Sequence, residues 1–543
     1  MLLLEAGNIE KYYSDRLIIK FSELKIYSGD RIGVVGPNGS GKTTLMNILS
    51  KDIEPDEGFV KQYCETAYIR QFSDEGLEAG PRTLKEFRLS DVAGQNILSG
   101  GEKTRIKIAN ALSAGSMLLF ADEPTANLDY KGIEVLRQKL SAIDSFMLIS
   151  HDRSLLDSLC NKILEVRDGK IRLFSGNYSL YKEQVEKEHK YAEQEYEKYI
   201  SEKAKLEAAI EERQRKSGAI RKAPRRMGNS EARLHRKEAN EKQEKINNAV
   251  NSLKTRLEKL ETKEKPNELP RIKLDFSLTN PPENRIVISA EKLTFGYNGM
   301  TLFDNAKFEV YNGSKTALWG ENGTGKTTLL NLINNKSSES IYIVPKARIG
   351  YFRQGFENLD YSRTVLENVM KDSVQNPAVA RTILARLLIS GDDVYKNAGV
   401  LSGGERIRVS FAKLFVSGAN VLLLDEPTNF LDMESMEALE NVLRDYEGTV
   451  LFVSHDSAFV NAVADRLLVF ENKSITGFEG TLKDYWLSRK KSKTAVQNET
   501  ERTALQMRIT EIVAKLSKPD ADKEALEAEY RRLVLMLREG GSR

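Results

Sequence analysis

One set of short motifs occurs twice in this 543-residue chain, in the same order, roughly 300 residues apart. Gly36-Pro37-Asn38-Gly39-Ser40-Gly41-Lys42-Thr43-Thr44 returns as Gly320-Glu321-Asn322-Gly323-Thr324-Gly325-Lys326-Thr327-Thr328. Leu98-Ser99-Gly100-Gly101-Glu102 returns as Leu401-Ser402-Gly403-Gly404-Glu405, Asp122-Glu123-Pro124-Thr125 as Asp425-Glu426-Pro427-Thr428, and Ser150-His151-Asp152 as Ser454-His455-Asp456. The chain therefore divides into two copies of one α/β fold, with length for two domains of roughly 200 residues each and extra segments.

Each G-x-x-x-x-G-K-T follows a short apolar run (Ile32-Gly33-Val34-Val35; Ala317-Leu318-Trp319) and opens a helical pattern. That is the setting of a phosphate-binding loop. Its glycines turn backbone N–H groups inward, the helix N-terminus adds positive potential, Lys42 or Lys326 reaches β/γ-phosphates, and Thr43 or Thr327 ligates Mg²⁺. The runs Met117–Ala121 and Val421–Leu424 read as buried parallel strands. Both end in Asp-Glu, at the carboxyl edge where open α/β sheets place ligands. Asp122 and Asp425 are expected to hold Mg²⁺ through water, and Glu123 and Glu426 to polarise an attacking water. An acidic pair after a strand can be a mere solvated end, but Pro-Thr and then Leu-Asp (Leu128-Asp129; Leu431-Asp432) follow both.

Bulk properties exclude little. Net charge is +3, and Cys64 and Cys160 have no metal-like spacing, as suits a reduced cytoplasmic setting. No apolar run approaches the ~18–20 residues of a membrane span, and the first residues are too short and too soon acidic for a signal peptide.

The LSGGE sequences resemble the signature of the ATP-binding cassette (ABC) superfamily. There the signature of one domain caps ATP bound on the phosphate loop of the other. The resemblance implies one composite site of Lys42, Asp122, Glu123 and His151 with Ser402, Gly403 and Gly404. The second would combine Lys326, Asp425, Glu426 and His455 with Ser99, Gly100 and Gly101. Gln71 and Gln354 look like Q-loop residues that sense Mg²⁺ and water, and His151 and His455 like γ-phosphate switch histidines. Gly36, Asn38, Gly39, Gly41 and Thr44, with Gly320, Asn322, Gly323, Gly325 and Thr328, complete the ATP-binding sets. Tyr13 and Tyr297 match the aromatic that stacks on adenine, with Tyr12 competing for the first. Neither half lacks a catalytic residue, so both sites are expected to hydrolyse ATP. Thr125-Ala126-Asn127 and Thr428-Asn429-Phe430 depart from the family's usual Asn-His and bear on relative rates.

Offsets between the copies are 284 residues at the first loop glycine, 283 at the Q-loop glutamine and 303 at the signature serine. The first half thus lacks about 20 residues of its helical subdomain, the part that grips a transmembrane partner in transporters. That argues against a transporter subunit and leaves no room for the added arm of the translation-throttle members of the soluble ABC-F group.

Between the copies, Tyr196, Ile200, Leu206 and Ile210 trace one helical face, interrupted by Lys203. Ile246, Val250, Leu253, Leu257 and Leu260 keep the spacing of a coiled-coil seam. An antiparallel helical hairpin is expected over 183–264, with a connector at 265–285 and domains at 1–182 and 286–488. Its bend, 213–237, holds ten basic residues against one acid: Arg213, Arg215, Lys216, Arg221, Lys222, Arg225, Arg226, Arg233, Arg236 and Lys237 against Glu231. A charge run is usually a solvated face, but at the tip of a long lever it repels itself without a polyanion. Arginine density suits RNA, and Met227 and His235 could touch bases.

Tandem ABC domains, this linker and Gly176-Asn177-Tyr178-Ser179-Leu180-Tyr181 together resemble the ABC-F family. The tip Pro224–His235 resembles its antibiotic-resistance branch. That branch protects the 70S ribosome against pleuromutilins, lincosamides and streptogramin A. Such proteins bind the E site when ATP-closed, and push the tip (216–229 here) toward 23S rRNA and the P-site tRNA. The resemblance implies a monomer that closes on itself, with ATP and Mg²⁺ and with no membrane or obligate transmembrane subunit. A housekeeping ABC-F factor for stalled ribosomes shares every ATPase residue and stays open as an alternative. So does a DNA-associated ATPase, because within a C-terminal extension at 489–543 roughly residues 500–539 also pattern as a helical hairpin (Leu505, Ile509, Ile512, Leu516; Leu526, Tyr530, Leu533, Leu537) broken at Ser517-Lys518-Pro519-Asp520.

Overall fold

A computed structural model describes residues 1–70, 100–113, 115–126, 128–219, 229–260, 262–263, 275–297, 299–353, 359–516 and 530–534. In the first half β1 (Leu2–Tyr13), β2 (Arg16–Tyr27), β3 (Arg31–Val35), α1 (Lys42–Leu49), β4 (Glu57–Gln62) and β5 (Thr66–Ile69) come first. They are followed by α2 (Gly100–Ser113), β6 (Leu118–Asp122), α3 (Tyr130–Ser141), β7 (Phe146–Ile149), α4 (Arg153–Leu159), β8 (Lys162–Arg167) and β9 (Lys170–Ser175). The six-stranded order β5-β6-β7-β3-β8-β9 is parallel except for the β8–β9 hairpin, and β2-β1-β4 forms a separate antiparallel sheet. The continuous apolar runs on β3, β6 and β7 follow from burial of both faces of the parallel sheet.

Helices α5 (Tyr178–Ala219) and α6 (Asn229–Glu258) come next. The second half repeats the plan with β10 (Ile286–Tyr297), β11 (Met300–Tyr311), β12 (Lys315–Gly320), α7 (Lys326–Asn335), β13 (Ile341–Ile343) and β14 (Ile349–Phe352). After α8 (Val365–Met370), α9 (Pro377–Arg386) and α10 (Gly403–Val416) come β15 (Val421–Asp425), α11 (Met433–Asp445), β16 (Thr449–Val453), α12 (Ser457–Val463), β17 (Arg466–Glu471), β18 (Ser474–Glu479) and α13 (Leu482–Leu516). Its sheet order, β14-β15-β16-β12-β17-β18, matches the first strand for strand. Apolar residues of both halves, among them Leu155, Leu156, Phe459 and Val460, share one core cluster.

Helix α5 starts at Tyr178, several residues before the expected boundary, because Asn177 Oδ1 accepts the Leu180 N–H (3.2 Å) and Gly176 takes φ 113° to turn the chain. At 42 residues it spans on the order of 60 Å. Leu206 and Val250 are 7% and 6% exposed at the seam with α6, and Ile246, Leu253 and Leu257 are half-buried beside them. Ile200 instead faces solvent, while Tyr196 and Tyr199 are half-buried and pack on each other (6.3 Å between centroids). Val250→Asp would put a charge into this seam. The expected result is separated helices, read as lost helical ellipticity and faster proteolysis in 183–264, with the melting of the two domains unmoved.

Helix α13 begins at Leu482, before the expected boundary at 489, where the Thr481 hydroxyl and the Asp484 carboxylate cap its first turn. The break at 517–520 lies outside the described residues, and of the second expected helix residues 530–534 are described and helical.

Candidate composite ATPase sites

The loops after β3 and β12 wrap around their own lysines. Lys42 Nζ donates to the Gly36 and Pro37 carbonyls (2.8 and 2.9 Å), and Lys326 Nζ to those of Gly320 and Glu321 (2.8 Å each). Burial lowers both lysines below the usual ammonium range, opposed chiefly by Glu123 and Glu426. Gly36 has no room for a side chain: at φ 148° an added Cβ would lie 2.1 Å from the Val166 carbonyl. Gly41 and Gly325 start α1 and α7 at φ 99° and 97°, a conformation that favours glycine, so the first N–H groups of each helix face the loop.

Across each loop stands a hard oxygen pair. Thr327 Oγ1 donates to Asp425 Oδ1 (3.0 Å), and Thr43 makes the equivalent bond to Asp122. Burial raises both aspartates, and the threonine bond offsets part of that rise. One hydroxyl and one carboxylate, open toward the phosphate loop, form the small oxygen set that Mg²⁺ takes from protein when phosphates and water fill its other positions.

Glu123 and Glu426 follow β6 and β15 at φ 47° and 48°, pinned by N–H bonds to the Ile149 and Val453 carbonyls (2.9 and 3.0 Å). His151 Nε2 lies 3.2 Å from Glu123 Oε1, and His455 Nε2 3.3 Å from Glu426 Oε1. Burial, then the neighbouring Asp122, pushes Glu123 up to about 8; burial pushes Glu426 up to about 7 against the pull of Lys326. Burial also drops both histidines to about 4, so each imidazole is neutral. Each site thus holds a carboxyl group able to exchange a proton near neutrality beside a neutral imidazole.

The two halves are closed on each other. Asp432 Oδ2 accepts the Asn38 N–H (2.9 Å), and Asn38 Nδ2 donates to the Phe430 carbonyl (2.9 Å). Gly404 approaches the same place: a Cβ there would lie 3.5 Å from Asn38 Nδ2. Ser402 caps α10 in a reciprocal box with Glu405, which aims the N-terminus of α10 at the phosphate loop of the other domain. At the second site Asp129 Oδ2 takes the Asn322 N–H at 3.4 Å, and Lys131 pairs with Glu321. A cavity of about 820 Å³, large enough for a nucleotide, runs between the halves, lined by Lys326, Thr327, Asn322 and Gly323 from one domain and by Thr104, Lys107, Glu123 and His151 from the other.

Tyr297 also lines that cavity. Tyr13 holds the same hairpin position in the first half. Tyr12 is engaged elsewhere, its hydroxyl donating to Glu10 (2.9 Å) and its N–H to Asp56 (2.7 Å), which leaves Tyr13 as the candidate for stacking.

Asp129 and Asp432 were visible in the sequence but not singled out as site residues. Each caps a helix through one oxygen (Gly132 and Ser435 N–H, 2.9 Å each) and spends the other across the interface. The repeated Leu-Asp after each Asp-Glu-Pro-Thr was the available signal. Gln71, Gln354, Ser99 and Asn127 lie outside the described residues, as do Arg221, Lys222, Arg225, Arg226 and Met227 of the linker bend. Gly100 and Gly101 start α2; Arg233, His235, Arg236 and Lys237 fall in the first turns of α6. Arg213, Arg215 and Lys216 are exposed near the end of α5, where Arg215 and Lys216 pair with Glu211 and Glu212 (2.6 Å each).

The family described as ABC transporter matches residues 19–79, 81–126 and 303–429. The chain is 33% identical over 481 residues to the erythromycin resistance ATP-binding protein MsrA of Staphylococcus epidermidis, covering 86% of this chain and 98% of that one. It is 31% identical over 523 residues to the ribosome protection protein VmlR of Bacillus subtilis strain 168 (94% and 92% covered). It is also 30% identical over 575 residues to ABC transporter F family member 5 of Arabidopsis thaliana (92% and 78% covered). The chain belongs to the ABC-F family. As an ABC-F member it is an ATPase, with two tandem ABC nucleotide-binding domains. The same fold occurs in the archaeal ribosome recycling factor aABCE1, solved with the stalk protein aP1 (TM-score 0.60, 21% identity, 89% and 92% covered). It occurs again in a structure titled RNase-L Inhibitor (TM-score 0.59, 21% identity, 88% and 91% covered).

Proposed function

We propose that this ABC-F ATPase is a cytoplasmic ribosome-protection factor that closes on two ATP molecules, docks in the ribosomal E site and drives its linker tip toward the peptidyl-transferase centre. The observation that carries the reading is the closed geometry: α10 of the second domain sits on the Asn38 loop of the first, and the α5–α6 hairpin leaves that closed pair as a long lever. Its relatives include a protein named for erythromycin resistance and one named for ribosome protection. Among the described residues no helix is long and apolar enough to cross a membrane.

Lys42 and Lys326 hold the β- and γ-phosphates, with the glycine-loop N–H groups around them. Tyr13 and Tyr297 stack on adenine. Mg²⁺, held by Thr43 and Asp122 or by Thr327 and Asp425 with Gln71 and Gln354, would supply charge neutralisation at the phosphates. Glu123 and Glu426 polarise the attacking water and take its proton, His151 and His455 orient toward the γ-phosphate, and the signature serines and glycines of the opposite domain complete each site. Hydrolysis then serves as a timer, since the work is positional. The basic tip makes backbone contacts to rRNA and the P-site tRNA.

Two experiments test this. The Glu123→Gln/Glu426→Gln variant should co-sediment with 70S ribosomes in ATP, and its failure to do so would sink the reading. A sensitive bacterium expressing the wild-type chain should tolerate more pleuromutilin, lincosamide or streptogramin A, and lose that tolerance with the variant. A macrolide belongs in the panel because of the erythromycin resistance relative. Ribosome binding without any change in drug tolerance would favour a housekeeping factor for stalled ribosomes.

A further inference from the structure

Two long helices leave the ATPase domains from equivalent places, α5 after β9 and α13 after β18. Tyr181 packs on Phe174 and Tyr485 on Phe478 (5.0 and 5.4 Å between centroids), marking the same turn of each helix. The next residue on each reaches the opposite domain. Lys182 Nζ donates to Glu437 Oε2 of α11 at 2.5 Å, whereas Trp486 packs on Tyr130 of α3 at 5.8 Å. Closure holds the linker helix by charge and the tail helix by an aromatic ring.

The charged contact is the middle one of three. Helix α11 carries Glu434, Glu437 and Glu440 at every third position, so neighbouring carboxylates wind along one side of it. Glu434 pairs with Arg167 at the end of β8, Glu437 with Lys182, and Glu440 with Arg153 at the start of α4 (Nη1 to Oε1, 3.0 Å). Glu440 is 3% exposed, and a buried charge drawn away from its partner is strongly disfavoured, so opening must return these groups to water. The pattern is one-sided. Counted from the capping aspartate, α3 has Lys131, Glu134 and Arg137 at the same positions, and its Glu134 pairs with Arg137 of its own helix (2.8 Å). Ser457 and Glu471 stand where Arg153 and Arg167 stand. A stripe present on only one of two otherwise matching helices is more than closure itself requires.

We propose that α11 is a closure-dependent clasp on the linker, with Glu437 and Lys182 as its positioning pair. Asp432 caps α11 and engages the Asn38 loop, and Glu437 lies five residues along the same rigid helix. Closure at the Lys42 site therefore carries Glu437 onto Lys182 and fixes the direction in which the hairpin points. This coupling is internal to the chain and stands whether or not a ribosome is the partner.

The test uses the full chain in the Glu123→Gln/Glu426→Gln background, with spin labels placed through noncanonical residues at exposed Ser201 and Asp392. Pulsed electron-spin distances report the linker. Tryptophan fluorescence reports closure, because the chain's two tryptophans, Trp319 and Trp486, both pack on Tyr130. In the parent, ATP is expected to shift the fluorescence and narrow the distance distribution. Glu437→Lys and Lys182→Glu should each keep the fluorescence shift and lose the narrowing, and the swapped pair should regain it. Narrowing that survives both single changes overturns the proposal. So does a swapped pair that fails to regain it, or a Glu437→Lys chain that loses the fluorescence shift as well, since the pair would then be needed to close rather than to steer.

Discussion

Replacing Glu123 and Glu426 together by glutamine is expected to lower steady-state ATP hydrolysis by about 10²- to 10³-fold and to leave ATP binding intact, because an amide cannot take the proton of the attacking water. The phosphate loop, the Thr43–Asp122 and Thr327–Asp425 pairs and the cross-domain contacts are untouched by the change. Glutamine keeps the shape of glutamate at the φ of 47° and 48° that the native residues already adopt. Stability should rise with a defined pH dependence. Burial raises Glu123 to about 8 and Glu426 to about 7 from 4.5, so between those values the folded state binds more protons than the unfolded one. In the wild type these two groups therefore contribute falling stability as pH climbs from 4.5 toward 8. The double variant lacks that loss, so its melting temperature should match the wild type at pH 4.5 and exceed it increasingly toward pH 8. Phosphate release, equilibrium binding of labelled ATP and calorimetry at several pH values check the three claims. A variant that keeps more than about a tenth of wild-type hydrolysis would remove both glutamates from the role of base.

The architecture was legible in the sequence wherever one local rule dominates. Continuous apolar runs ending in Asp-Glu gave the central strands β6 and β15, since burial on both faces leaves no other pattern. Four-three spacing gave the linker seam, where Leu206 and Val250 are buried. Ile200 shares a face with Tyr196 by spacing alone, yet it is exposed while Tyr196 and Tyr199 are half-buried. Helix starts at Tyr178 and Leu482 fell earlier than expected because cap bonds from Asn177, Thr481 and Asp484 set them rather than the change in composition. The composite pairing of loop with signature came from resemblance, for no local rule says which domain a glycine pair will face. What stayed hidden were contacts between residues hundreds of positions apart: Asp432 on Asn38, Glu440 on Arg153, Trp486 on Tyr130. Each residue is ordinary on its own helix, and only closure brings it a partner in the other domain.

Asp432→Ala is expected to weaken ATP-driven closure by about 10- to 100-fold while lowering the melting temperature by only a few degrees. The two oxygens of Asp432 account for the two numbers. Oδ1 caps α11 through the Ser435 N–H at 2.9 Å, a contribution of about 1 kcal/mol and roughly 2–4 °C in a domain of this size. Oδ2 accepts the Asn38 N–H at 2.9 Å, and a charge-assisted bond of this kind is worth about 1.5–3 kcal/mol to the closed state alone. The carboxylate is charged there. Burial pushes it up, but bonds from Ser435 and from the Asn38 N–H outweigh that and hold it below its ordinary 3.8, so the contact fails only in acid below that value. Asp432→Asn keeps an oxygen for the cap and loses the charge, which places it between wild type and alanine in closure and near wild type in melting. Asp129→Ala removes the matching contact at the other site, where the Asn322 N–H stands at 3.4 Å, beyond the usual range for a strong bond. Its effect on closure should be several-fold smaller. Titrating ATP against tryptophan fluorescence in the Glu123→Gln/Glu426→Gln background ranks the three variants directly. Equal shifts for Asp129→Ala and Asp432→Ala would mean that the tighter Asn38 contact carries no more of closure than its looser counterpart. The larger shift for Asp432 would place the main hold on the closed state in the same helix that reaches the linker root.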